Sequence, residues 1–143
     1  MGERQERLRG MAVEAMTALA DGRFVDADAL FHPDAVWWII GQGELTHERV
    51  RELAGKTEGP LAVRGLTILG TVVEGDKVCV EAVGAMAFPD GRPYANHYHH
   101  MIEFRGDRIA RMREYFDTLY VRETFGDDLY DARVNASEVM HNS

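Results

Sequence analysis

The segment from Tyr94 to Arg105 concentrates side chains that carry or bind protons: His97, His99, His100, Tyr94, Tyr98, Asn96 and Glu103. Read as a strand, with side chains alternating between faces, it places Asn96, Tyr98, His100, Ile102 and Phe104 on one side. His97, His99, Met101, Glu103 and Arg105 fall on the other. The first set ends in two large apolar residues and the second in two charges, so the first is assigned inward. The same alternation over Arg108 to Tyr120 groups Ala110, Met112, Glu114 and Phe116 inward, with Arg111, Arg113 and Asp117 outward. A carboxylate flanked by Met112 and Phe116 is expected to be poorly solvated, which raises its pKa toward neutrality. That state suits a general acid or base. His100 is a second proton carrier, and Tyr98 and Asn96 are groups able to stabilise an oxyanion. A plainer reading stands beside this one. Glu114 and His100 could satisfy each other inside a core, with Tyr98 a packed ring and Trp37 simple bulk.

The outward set suggests a different chemistry. Gly91, five residues, His97, one residue, His99, three residues and Glu103 resembles the first metal-binding motif of cupins. Imidazoles and a carboxylate suit iron, manganese or zinc. Against it, Ala110 replaces the closing glycine, no second motif follows, and His141 is the only later histidine. A helical amino-terminal third also conflicts with a cupin. No metal and no cofactor are therefore expected, and His97 and His99 are expected on an outer sheet face.

The elements that must position these groups follow from periodicity. Leu8, Met11, Ala12, Ala15, Met16 and Leu19 recur at helical spacing, and Asp21-Gly22 ends that helix. Phe24, Ala27, Leu30 and Phe31 predict a shorter helix stopped by His32-Pro33-Asp34. Ala35 to Ile40 reads as a strand, and Thr46 as the N-cap of a helix from His47 to about Ala54. Strands are predicted over 62–73, 77–88, 94–105 and 108–120, separated by turn residues. Helices first and a meander last describe an α+β domain. The polar tail after Phe125 is expected to be a helix, a pocket cover or frayed chain.

Bulk properties narrow the class. The 143 residues suit one domain, and the net charge of -8 repels phosphate backbones, so nucleic acid is not an expected partner. Cys79 is the single cysteine and reads as a core residue of a protein in a reducing compartment. No apolar signal segment follows the charged amino terminus, and no run of 18 apolar residues exists. A cytoplasmic protein with no membrane partner is expected.

Two stretches resemble the SnoaL-like, nuclear transport factor 2-like superfamily. Asp34 to Gly43 (Asp-Ala-Val-Trp-Trp-Ile-Ile-Gly-Gln-Gly) looks like its first-strand signature. Gly106 to Thr118 (Gly-Asp-Arg-Ile-Ala-Arg-Met-Arg-Glu-Tyr-Phe-Asp-Thr) looks like its last strand. The resemblance covers about residues 8–122 of a single domain, leaving 123–143 as a tail. It implies a cone-shaped α+β barrel, with N-terminal helices packed on a curved antiparallel sheet, and a homodimer. It also puts Glu114 where several relatives carry a catalytic carboxylate, and Trp37, Ile39, Glu81 and Val83 at pocket-facing positions. Ketosteroid isomerases carry an aspartate at the position of Ile39. Limonene epoxide hydrolases carry an Asp-Arg-Asp set where this chain has Val83, Glu81 and Glu114. Neither set is intact here. The resulting expectation is cofactor-free acid–base chemistry by Glu114, His100 and Tyr98. The substrate would be hydrophobic, aromatic or polycyclic, held by Trp37, Ile39, Glu81, Val83, Asn96, Met112 and Phe116. The reaction would be an isomerisation, a dehydration or other lyase step, or an aldol-type cyclisation. A non-catalytic binding domain and a cupin-like metal enzyme are the alternatives.

Overall fold

The computed structural model describes residues 2–127. Helix α1 (Glu3–Asp21) buries Leu8, Ala12, Ala15 and Met16, one stripe at helical spacing. Gly22 ends it in the left-handed region at φ 80°, where a side chain would be strained. Arg64 then closes that helix end, its Nε donating to the Ala20 carbonyl at 3.0 Å. Helix α2 (Phe24–Asp28) is a single short turn. Leu30 and Phe31 do not extend it, because strand β1 (Phe31–Ile39) already starts at Phe31. That strand runs through Pro33 instead of beginning at Ala35. Proline offers no N–H, so the ladder is interrupted there: Phe31 pairs with Ile109, and regular pairing resumes only at Val36.

Strand β2 (Gly43–Leu45) folds back on β1. Thr46 caps helix α3 (His47–Glu58) by accepting the Arg49 N–H at 3.1 Å. The helix continues one turn past Ala54. Strands β3 (Leu66–Glu74) and β4 (Lys77–Gly84) form a hairpin. The predicted strand to Phe88 stops at Gly84, where a Cβ would lie 3.2 Å from the Tyr94 carbonyl. Met86 and Ala87 form strand β5 instead, paired with β6 (Pro93–Tyr94). Strands β7 (His97–Arg105) and β8 (Arg108–Phe116) complete the meander. Beyond β8 the chain turns helical rather than remaining extended to Tyr120. Asp117 caps helix α4 (Thr118–Phe125) by accepting the Tyr120 N–H at 3.1 Å.

The main sheet has the order β2-β1-β8-β7-β4-β3. It is α+β as expected, with helices packed on a curved sheet, but the sheet is mixed and open rather than an antiparallel barrel. The chain leaves β1, crosses through α3 and the meander, and returns with β8 parallel to β1. Strands β2 and β3 remain as edges. Val78 and Val80 of β4, Ile102 and Phe104 of β7, and Ile109 and Met112 of β8 meet α1 in the core. Among the described residues no helix is long and apolar enough to cross a membrane.

Candidate active site

Sheet register brings the chemistry together. Glu114 lies opposite His100 on β7 and opposite Ile39 on β1. Its carboxylate is held from two sides: Trp37 Nε1 donates to Oε2 at 3.2 Å, and His100 Nε2 lies 3.4 Å from Oε1. The Trp37 ring is fixed in turn by stacking on Phe31 at 5.5 Å between centroids, with the planes 7° apart. His100 is 4% exposed, and its Nδ1 has no hydrogen-bond partner among the described residues.

These groups face a cavity of about 160 Å³ between the sheet and the helices. Trp37, Ile39, Tyr98, His100, Glu114 and Phe116 all line it, the last four as strand parity placed them and the first two as the resemblance implied. The inward set on β7 is confirmed by burial of Asn96, His100, Ile102 and Phe104, while His97, His99 and Met101 are exposed. On β8 the alternation slips once. A bulge opposite Glu103 and Phe104 turns Ile109, fully buried, into the place expected for Ala110.

Four expected pocket residues sit elsewhere. Glu81 and Val83 point to the outer face, because Val78, Val80 and Ala82 take the buried positions of β4. Met112 is wholly buried in the core without lining the cavity. Asn96 is consumed by structure. Its Nδ2 donates to the Tyr94 hydroxyl at 3.2 Å and to the Asp117 carbonyl at 3.1 Å, and its Oδ1 accepts the Asp117 N–H at 3.1 Å. Asn96 therefore fixes Tyr94, which lines the cavity together with Tyr98. Burial pushes both phenols above the ordinary range, Tyr98 the further, so they stay protonated donors. His97, His99 and Glu103 follow the outward parity of β7, and among the described residues no three such side chains converge to hold a metal ion. His141 lies outside the described residues.

Glu58 was not anticipated. It stands on the last turn of α3 and lines the same cavity, its Oε2 accepting from Arg64 at 2.7 Å. Burial lifts its carboxyl to about 7. Arg64 opposes the rise and the Glu114 charge adds to it. The signal was present in the spacing: Val50, Leu53, Ala54, Thr57 and Glu58 share one helical face. Ending the helix at Ala54 concealed it. His47 and Arg51, also on α3, line the cavity as well.

A largely apolar cavity between a curved open sheet and a helical layer is the architecture of the nuclear transport factor 2-like proteins. The chain belongs to the SnoaL-like domain family, whose model matches residues 12–112. In fold it is similar to AclR from Streptomyces galilaeus, a provisionally assigned hydroxylase. That match has 12% identity and a TM-score of 0.75, over 86% of this chain and 98% of the other. It is also similar to IdmH from Streptomyces antibioticus, a provisionally assigned polyketide cyclase, at 17% identity and a TM-score of 0.68, over 83% and 98%. A protein of ketosteroid isomerase-like fold from Catenulispora acidiphila, in complex with trimethylamine, matches at 20% identity and a TM-score of 0.65, over 81% and 92%. No curated protein matches the sequence.

Proposed function

We propose that the chain is a small-molecule enzyme that moves protons without a cofactor. The observation that carries this reading is an inward carboxylate and imidazole 3.4 Å apart on the floor of an otherwise largely apolar cavity. Glu114 orients His100 through Nε2, which leaves Nδ1 as the base. The base removes a proton beside a carbonyl or from an activated ring. Tyr98, kept protonated by burial, hydrogen-bonds the oxyanion that develops. Trp37, Ile39 and Phe116 hold a flat hydrophobic substrate, aromatic or polycyclic. The reaction class is isomerisation, elimination or aldol-type ring closure. We place the protein in the cytoplasm as a homodimer.

The test is exchange of the activated C–H protons of 2-tetralone, a flat bicyclic ketone, in heavy water. Wild type is expected to accelerate exchange over buffer, and Glu114→Gln to lose about 10²- to 10⁴-fold, the range for a positioned acid–base group. If wild type binds the ketone without accelerating exchange, the cavity is a binding site only. If Glu114→Gln exchanges as fast as wild type, the assignment of Glu114 is wrong.

A further inference from the structure

The mechanism above uses one wall of the cavity, and the opposite wall carries an unused group. His47 opens helix α3, where Thr46 fixes the helix start, so its ring comes from the helical side while His100 comes from the sheet. Its Nε2 is buried without a hydrogen-bond partner among the described residues, as is His100 Nδ1, and both rings line the same cavity. The His47 ring stands edge-on to Phe31 at 5.7 Å and 84°, and Phe31 is the ring stacked on Trp37. His47 is therefore set by the same aromatic stack that fixes the donor to Glu114.

A buried imidazole nitrogen without a partner destabilises the fold, because it gives up water and receives nothing in exchange. A ligand that supplies both missing partners gains twice. We propose that His47 on one wall and the Tyr98 and His100 side chains on the other form a two-point grip for a ring-shaped apolar ligand bearing two separate oxygen functions, one meeting each wall. His47 is then the specificity residue that reads the second oxygen, and the edges between the two contacts stay apolar. An imidazole nitrogen donates or accepts according to its tautomer, so a hydroxyl or a carbonyl serves at the His47 end. The inference rests on the reading of this cavity as a substrate site.

Three probes of one skeleton test it: naphthalene, 2-naphthol and 2,6-dihydroxynaphthalene, titrated by calorimetry. Wild type is expected to bind the diol about tenfold more tightly than the mono-ol, the value of one added neutral hydrogen bond. His47→Phe keeps an aromatic ring against Phe31 but has no nitrogen. It is expected to bind 2-naphthol as wild type does and to lose the preference for the diol. A folded His47→Phe that keeps the full preference overturns the inference. Should that variant not fold, imidazole nitrogen spectra of wild type decide: the diol must shift the His47 Nε2 resonance and 2-naphthol must leave it in place. Equal binding of the diol and the mono-ol by wild type removes the grip and leaves the proposed function intact. Failure of wild type to bind any of the three removes the apolar substrate site itself.

Discussion

Glu58 carries the clearest electrostatic signature in the cavity. Its carboxyl is raised from 4.5 to about 7, chiefly by burial. Between those values the folded chain holds a proton that the unfolded chain has released. Stability from this group is therefore present below about 4.5, falls as pH rises to about 7, and is flat above. The shift corresponds to a cost on the order of 3 kcal/mol at the alkaline end. Glu58→Gln, which keeps an acceptor for Arg64, is expected to remove that slope. Urea unfolding of both proteins at pH 5 and pH 8 measures it, and equal slopes would contradict the account. Strand parity and apolar neighbours made the inward facing of Glu114, His100 and Tyr98 legible, and the family resemblance added Trp37. It could not separate Asn96, which lies inward but is fully used by Tyr94 and Asp117. Parity tells which way a side chain points, not whether its hydrogen bonds are already taken.

At the scale of elements, the departures have local causes. Both faces of β4 are largely apolar, so Glu81 and Val83 had no reliable facing until pairing with β7 set it; Glu81 then lies opposite His99 on the outer side. The bulge at Ala110 and the turn into α4 depend on long-range pairing and on one cap, and neither leaves a periodic trace. The outer face of the sheet carries its own pattern. A row across five strands runs Val72, Cys79, Met101, Arg113 and Trp38. Val72 is 67% exposed and Met101 36%. Arg113 lies over the Trp38 ring at 4.2 Å, and Tyr115 leans on the same ring. Such a strip suits self-association. Light scattering is expected to give twice the 16.1 kDa chain mass, and Met101→Glu to return it to one. A monomeric wild type would rule out the homodimer.

For the molecule as a whole, helices before strands were legible from periodicity, and the open mixed sheet was not. Whether β1 and β8 run side by side in one direction depends on the path of the whole meander. That path matters to function, since it is the parallel pairing that sets Ile39 beside Glu114 and brings Trp37 within reach of its carboxylate. Domain-level architecture thus brings the Glu114 carboxylate and the His100 imidazole together, and α3 lines the opposite side of the cavity. The most direct test of the central claim is the tautomer of His100, read from long-range proton–nitrogen correlation spectra of its neutral ring. The account predicts hydrogen on Nε2, facing Glu114, and a bare Nδ1, with that preference lost in Glu114→Gln. Hydrogen on Nδ1 and a bare Nε2 in wild type would contradict it, because Glu114 would then not be holding His100 as a base.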